Sequence, residues 1–315
     1  MRLERKSAAG GPVRPDVDKK FHWLLEHLQC PRCGGVDISS EIDAVTCDRC
    51  GRRYPVIEGT INFIDSDAVT SFGLVETDAV SDHPFDGNAL AIIDKCREAN
   101  GMVLDCGSGY KSVAIPNVVQ MDIVRFPNVD IIGVNQTLPF RDGSFDAIFS
   151  LDVLEHVNDP FTSASEIIRI LKPGGVLYLD LPFLQVEHGY PHHYFNATRM
   201  GVRHLFSELE CLSHHVPASG QPMFIVHHLL SLYQLGLPIE LRSRFEAMTV
   251  GDILLKSPLE WLGDDLVQQL DEETRWVIAS ATQALFRKAP LVASDDAATL
   301  AVSPSDLPGF SPLHP

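Results

Sequence analysis

The sequence predicts an α/β protein: a doubly wound, mostly parallel sheet, preceded by a small metal-binding module and followed by a helical extension. Three observations carry that expectation. Between residues 102 and 182 short apolar strand patterns alternate with helical ones, the order that builds a parallel sheet covered on both faces. The first of these strands, Met102-Val103-Leu104, runs into Asp105 and then into Gly107 and Gly109, as a buried strand does when its C-terminal end opens into a loop that lets a ligand approach the backbone. Near the N-terminus, Cys30 and Cys33 form one Cys-x-x-Cys pair and Cys47 and Cys50 a second.

At 315 residues the chain suits roughly two domains with ample material for a core. Its 45% apolar and 21% charged content are ordinary for a soluble protein. The opening Met1-Arg2-Leu3-Glu4-Arg5-Lys6 lacks an apolar segment behind it, and the most apolar run, near Phe224 to Leu237, is broken by His227, His228 and Gln234. A cytoplasmic chain without a membrane span is therefore expected. The net charge of −17 is uneven: residues 1–64 carry ten Lys/Arg against nine Asp/Glu, the remainder 15 against 33. A nucleic-acid enzyme presents basic surface to phosphates, so this balance argues against DNA or RNA as substrate.

In chain order, residues 1–20 read as a flexible lead-in and Phe21 to Leu28 as a short amphipathic helix. The two cysteine pairs follow, with Gly34-Gly35 and Gly51 supplying tight knuckle turns. Four thiolates at this separation close a tetrahedral zinc site, and with all four positions filled such an ion is structural. Two disulfides are the alternative, which the absence of any export signal disfavours. Arg53 to Ile64 alternates like a strand with a turn at Glu58-Gly59. Leu24-Leu25-x-x-Leu28-x-Cys30-Pro31-x-Cys33 with Cys47-x-x-Cys50-Gly51-x-x-Tyr54-Pro55-x-x-x-Gly59 resembles the small zinc-ribbon family that activates tRNA, rRNA and release-factor methyltransferases. The resemblance covers residues 21–64 and implies a non-catalytic ribbon docked on a methyltransferase.

Residues 65–87 read as an acidic linker, and Asn88 to Ala99 as a helix with Asn88 as its N-cap. Asn117 to Ile123 forms a second strand ending in Asp122, an acid placed to hold ribose hydroxyls in doubly wound folds. Only about a dozen residues join the first two strands, Pro116 among them, so the crossover holds about two helical turns. Ser112 stands where a Gly-x-Gly-x-x-Gly fingerprint needs its third glycine, which counts against a dinucleotide. Lys111 reads as a solvated loop cation, or else as a contact to a ligand carboxylate. Val129 to Val134 is a third strand, the stretch through Phe145 to Leu151 a fourth, Phe161 to Leu171 a helix stopping at Lys172-Pro173-Gly174-Gly175, and Val176 to Leu181 a fifth strand. Asp152 and Glu155 have capping-box spacing and read as a helix start, with His156 in its first turn; Asp152 also joins the candidate cofactor contacts.

Leu104-Asp105-x-Gly107-x-Gly109, Leu138-Pro139-Phe140-x-Asp142-x-Ser144-Phe145-Asp146, Val153-Leu154-Glu155-His156-Val157-x-Asp159-Pro160 and Leu171-Lys172-Pro173-Gly174-Gly175 together resemble class I S-adenosylmethionine-dependent methyltransferases. The resemblance implies a Rossmann-like methyltransferase sheet in which Asp105, Gly107 and Gly109 line the methionine moiety and Asp122 holds the ribose. Family members often carry an acid for the adenine amine just after the third strand. Here Val134 stands in that place with Asn135 beside it, so either Asn135 makes the contact or apolar walls and backbone do.

After Pro182 the chain leaves a strand's C-terminal end through a histidine- and aromatic-rich segment. His188, His192 and His193 are candidate bases for an acceptor hydroxyl, and Tyr190 and Tyr194 candidate substrate contacts. A catalytic metal site and plain loop packing are the alternatives. Pro182-Phe183, His188-Gly189-Tyr190-Pro191, Tyr194 and Thr198-Arg199 resemble a segment of methyltransferases from polysaccharide and natural-product biosynthesis. Met200 to Glu210 and Phe224 to Leu235 read as helices, 236–288 as a helical extension that forms a lid or a partner surface, and 289–315 as a disordered tail. With 88–235 as the catalytic domain, the expected function is S-adenosylmethionine-dependent O- or N-methylation of a small-molecule or glycan acceptor. Two other readings stand beside it: a protein or RNA methyltransferase with a fused activator-like ribbon, and a non-catalytic S-adenosylmethionine-binding regulatory protein.

Overall fold

The computed structural model describes residues 15–74, 81–189, 192–217 and 220–278. The expectations for Tyr190, for most of the 1–20 lead-in, for residues 279–288 of the helical extension and for the 289–315 tail lie outside these residues. The chain divides into two compact units, one up to Ser231 and the other from Leu232.

The first unit begins with α1 (Pro15–His27), which starts earlier than the Phe21 expected. Part of the lead-in is anchored: the buried Lys20 ammonium sits 2.8 Å from Asp130 and 3.1 Å from the Val118 carbonyl. A four-stranded antiparallel meander follows, β1 (Ile38–Ser40), β2 (Ala44–Cys47), β3 (Arg53–Ile57) and β4 (Thr60–Asn62). Then come α2 (Ser66–Phe72), α3 (Gly87–Glu98), β5 (Val103–Cys106), β6 (Val118–Asp122), β7 (Ile131–Ile132), β8 (Phe145–Leu151), α4 (Pro160–Ile170), β9 (Leu171–Asp180), α5 (Arg199–Leu205) and α6 (Pro222–Leu235), which runs across the division between the units.

All the strands form one sheet in the order β1-β2-β3-β4-β7-β6-β5-β8-β9. The five from β7 to β9 pair in parallel, so the chain starts near the middle and winds out to both sides. Alternation along the strands fills two layers. Leu104, Val119, Met121 and Ile148 face the layer built with α1 and α4, while Val103, Val118, Ala147 and Phe149 face Ala89 and Ile93 of α3. This is the doubly wound α/β sheet expected.

The cysteine-bearing module is a continuation of that sheet. Strand β4 pairs in parallel with β7, Ile61 opposite Ile131. Hydrogen bonds from Gln29 N to the Pro139 carbonyl (3.0 Å) and from Arg141 N to the His27 carbonyl (2.9 Å) extend the junction. Arg169 of α4 fastens it from below, donating to the carbonyls of Leu138 and Phe140 and to Gln29, Asp142 and Glu166. The buried Phe145 meets Trp23 of α1 at 5.2 Å and Phe140 at 4.8 Å. Burying such a ring stabilises by about 1.5–3 kcal/mol.

Several local expectations are corrected. Asp86, not Asn88, caps α3, accepting from Ala89 N at 2.7 Å. The β5–β6 crossover contains no helix, because its dozen residues are spent on the glycine loop and on turns before Pro116. The third strand shrinks to two residues. Strand β9 begins at Leu171, and Lys172 to Gly175 bulge out between the Phe145–Leu171 and Ala147–Val176 pairs. There the backbone runs so close that a Cβ on Gly175 would lie 2.9 Å from the Asp146 carbonyl. The 65–87 stretch is not a bare linker, since it holds α2, capped by Asp65 and closed by Gly73 at φ 64°. Helix α5 stops at Leu205 rather than reaching Glu210.

The second unit contains α7 (Ile239–Glu246), α8 (Val250–Leu255), α9 (Asp265–Gln268) and α10 (Glu272–Val277), so the extension is helical over its described residues. Its own core is Leu237, Leu266 and Leu270, with Tyr233 stacked on Phe245 at 5.1 Å. No helix among the described residues is long and apolar enough to cross a membrane.

Candidate active site

A cavity of about 450 Å³ opens at the C-terminal ends of β5, β6, β8 and β9. Ligands of open α/β sheets sit at this edge, where strand order reverses. Its floor is the loop after β5. Gly107 and Gly109 have φ of 70° and 57°, a region that L-residues enter at a cost. The N–H groups of Gly107 and Ser108 both donate to the Met121 carbonyl, at 2.8 and 3.0 Å, which clamps the loop to β6. Neither glycine has room for a side chain: a Cβ would stand 2.6 Å from Val153 at Gly107 and 2.5 Å from the Ser81 carbonyl at Gly109.

Asp122 stands at the tip of β6 and lines the cavity. Its Oδ2 accepts from Gly109 N at 2.8 Å and its Oδ1 from Val124 N at 3.0 Å. A carboxylate has about four lone-pair positions, so two remain for a ligand. Asn135 also lines the cavity, buried, with its Nδ2 lacking a hydrogen-bond partner among the described residues.

Asp105 lies beneath the loop rather than on the cavity wall, 2% exposed, with Oδ2 making no hydrogen bond among the described residues. Burial pushes its carboxyl up to about 7 against the pull of the Lys111 ammonium. Lys111 is not the solvated cation expected. Its Nζ donates to the Ser108 carbonyl at 2.6 Å, stands 4.0 Å from Asp105 and lies over the Phe85 ring at 5.1 Å.

The opposite wall departs most from expectation. Asp152 takes φ 53° at the end of β8, its N–H bonded to the Asp180 carbonyl. From that conformation it caps nothing: the turn Leu154–His156 is a 3-10 turn with Val153 at its N-cap and no side-chain cap, so no capping box forms. Glu155 instead turns inward, 1% exposed, and neither carboxylate oxygen has a hydrogen-bond partner among the described residues. Burial pushes its carboxyl up to about 8, and the nearby Asp152 and Asp180 add to the rise. Beside it, His156 is held by its Nδ1, 2.6 Å from the His192 carbonyl, and burial lowers its pKa.

The histidine-rich segment folds over this wall. His188 and His192 line the cavity, as does Tyr194, whose N–H donates to the Glu155 carbonyl at 2.6 Å. His188 donates from Nδ1 to the Val186 carbonyl at 3.0 Å. His193 is set back: its Nδ1 accepts from His188 N at 3.3 Å and its Nε2 bonds Asn196 Oδ1 at 3.0 Å. With both nitrogens engaged it positions the loop rather than reaching the cavity. Of the expected site residues the structure gathers Gly107, Gly109, Asp122, Asn135, Asp152, His188, His192 and Tyr194, and adds Glu155, His156 and Asp180. Phe72, Ser81 and His83 of the 65–87 stretch complete the wall.

Away from the cavity, the sulfurs of Cys30, Cys33, Cys47 and Cys50 lie within 4.8 Å of one another. Cys30–Cys50 is 3.8 Å and Cys33–Cys47 3.6 Å. Sulfurs about 2.3 Å from one tetrahedral zinc stand about 3.8 Å apart, so the donor set and its spacing fit that ion.

A probable S-adenosylmethionine-dependent methyltransferase of Mycolicibacterium smegmatis is 31% identical over 102 residues, 28% of this chain and 40% of that protein. An uncharacterized methyltransferase of Mycobacterium tuberculosis is 33% identical over 111 residues, 32% of this chain and 43% of that protein. The chain thus spans less than half the length of these curated relatives. Among solved structures, a putative sarcosine dimethylglycine methyltransferase from Galdieria sulphuraria is 18% identical, covers 60% of this chain and 78% of its own, and has a TM-score of 0.32. A complex of the Haloferax volcanii Trm112 methyltransferase activator with a putative methyltransferase is 20% identical, covers 42% and 81%, and has a TM-score of 0.27. The pattern of the methyltransferase domain family matches residues 104–179, the stretch from β5 to the end of β9 that carries the glycine loop and the acidic wall.

Proposed function

We propose that the chain is an S-adenosylmethionine-dependent methyltransferase acting on a small-molecule or glycan acceptor, with a structural zinc ribbon fused to its sheet. The observation that carries this reading is the glycine loop, clamped to β6 and bonded to Asp122, at the floor of a 450 Å³ cavity. The residues present fit the cofactor. Two glycines that admit no Cβ give it close backbone approach, Asp122 has acceptor positions left for ribose hydroxyls, and the unpaired Asn135 Nδ2 suits the adenine edge.

When bound, S-adenosylmethionine supplies a methyl group activated on a sulfonium. The chain's task is then to hold an acceptor in line and receive its proton. Tyr194 is the acceptor contact in this reading, joined by Tyr190 from the sequence. His188 and His192 are the candidate proton acceptors. In a neutral His188 the Nδ1–H bond to the Val186 carbonyl leaves the lone pair on Nε2. The acidic surface of the chain supports an acceptor other than nucleic acid.

In the ribbon the four-cysteine cluster holds zinc, and the pairing of β4 with β7 makes that zinc a support of the catalytic sheet. The test of the cofactor reading is Asp122→Ala. We expect at least a tenfold weaker affinity for S-adenosylmethionine by calorimetry, and an unchanged affinity refutes the ribose role of Asp122.

A further inference from the structure

We propose that Glu155, His156 and His188 form a divalent-cation site in the wall of the cavity, with open positions for oxygen atoms of the acceptor. Binding of the ion stands on the three residues alone; its use in methyl transfer rests on the function proposed above.

One donor atom from each of the three side chains lies within 4.8 Å of the other two. Glu155 contributes a carboxylate that is 1% exposed with neither oxygen hydrogen-bonded among the described residues. Buried polar groups are nearly always paired, and an unpaired carboxylate asks for a cation. Among the described residues no lysine or arginine pairs with it: Lys111 is committed to Ser108 and Asp105, and His156, 3.8 Å away, is a cation only when protonated.

The two histidines are oriented as ligands are. His156 donates its Nδ1–H to the His192 carbonyl at 2.6 Å, and His188 donates its Nδ1–H to the Val186 carbonyl at 3.0 Å. A carbonyl only accepts, so Nδ1 carries the proton in each ring and the neutral ring's lone pair is on Nε2. Backbone carbonyls commonly fix metal-bound histidines in this way. His156 Nε2 lies 3.8 Å from Glu155 Oε1, too far for a hydrogen bond. Ligand atoms about 2.1 Å from a shared ion stand roughly 3.0–3.4 Å apart, so small side-chain rotations close the set. The rings of His156 and His188 meet edge to face at 5.0 Å.

Two imidazoles and one carboxylate suit a first-row transition ion or zinc rather than magnesium or calcium, and three protein ligands leave positions open. The open positions face a cavity also lined by His192 and Tyr194. An acceptor with a hydroxyl, or two adjacent oxygens, is therefore the class that fits. With His188 on the ion, His192 is the group left to receive the hydroxyl proton, whose acidity the ion raises.

The test adds Co2+ to the full-length, zinc-loaded chain and follows visible absorption. The expected result is one further equivalent bound, with a nitrogen–oxygen spectrum that lacks thiolate charge transfer and so does not come from the ribbon. Glu155→Gln and His188→Asn should each weaken that binding at least tenfold while leaving the thermal unfolding midpoint of the metal-free chain in place. If one variant fails to fold, the other decides. No saturable Co2+ uptake by the wild-type chain, or uptake unchanged in a folded variant, overturns the site. S-adenosylmethionine affinity measured on the same samples separates the two claims: cation binding without cofactor binding contradicts the methyltransferase reading and leaves the cation site standing.

Discussion

The tightest constraint at the cavity is the contact between Gly107 and Val153, and it can be worked through as a double-mutant cycle. An alanine at position 107 meets two penalties. It must hold φ near 70°, which costs an L-residue about 1–2 kcal/mol. Its Cβ would also lie 2.6 and 2.8 Å from the two methyl groups of Val153, an overlap of the kind that costs about 1–3 kcal/mol. Gly107→Ala should therefore destabilise the chain by about 2–5 kcal/mol. Val153→Ala alone removes two half-buried methyl groups and should cost about 1 kcal/mol. In the double variant the two closest contacts are gone, a Cβ–Cβ approach of 3.3 Å is left, and the φ penalty and the lost valine burial remain. The double variant should accordingly be more stable than the sum of the singles by about 1–3 kcal/mol. Urea unfolding of the four proteins measures the coupling. The double variant's S-adenosylmethionine affinity should stay depressed, because the strained loop relaxes away from the cavity whether or not Val153 is present. Additivity within about 0.5 kcal/mol would refute the claimed contact.

Three further outcomes follow from the same geometry. Asp105 keeps its proton in the folded chain up to about pH 7, whereas an unfolded aspartate loses it near 4. The folded state thus binds more protons across that interval, so this residue's contribution to stability falls as pH rises, by at most about 1.4 kcal/mol per unit, and levels off above 7. The difference in unfolding free energy between wild type and Asp105→Asn at pH 5.5 and 7.5 should show that slope, and parallel profiles would contradict it. Metal analysis should find one zinc per chain that is lost from Cys47→Ser/Cys50→Ser; because β4 pairs with β7, that loss should also lower the unfolding midpoint of the sheet, and an unchanged midpoint would sever the ribbon from it. Arg169→Ala removes five side-chain or carbonyl partners at the junction and should cost about 2–4 kcal/mol in urea unfolding, whereas a change below about 0.5 kcal/mol would show that the junction does not depend on it.

Much of this arrangement is legible in the sequence where a local rule and the tertiary structure agree. Val103–Cys106 and Val118–Met121 are buried on both faces, and their mostly apolar runs, each broken by one polar residue, mark them plainly. Gly107 and Gly109 announce a positive-φ loop, and the four cysteines announce a closed ligand set. The acidic wall is hidden for the opposite reason. Asp152-Val153-Leu154-Glu155 satisfies the spacing of a helix cap, but Asp152 sits at φ 53° with its N–H on the Asp180 carbonyl, and Glu155 is buried instead of capping. A pair interaction between the tips of two strands overrides the local signal. Asp180 ends β9 just as Asp152 follows the end of β8, and two acids at neighbouring strand tips are the clue the sequence offers. The 65–87 stretch reads as a linker because its sequence is acidic and α2 buries no side chain, yet Phe72, Ser81 and His83 reach the cavity.

The central claim is that the loop from Asp105 to Gly109, with Asp122, forms a cofactor site. Calorimetric titration of the purified chain with S-adenosylmethionine tests it most directly. Saturable binding of one molecule per chain, lost or weakened at least tenfold in Gly107→Ala, is the predicted result. A wild-type chain that shows no saturable binding would contradict the account.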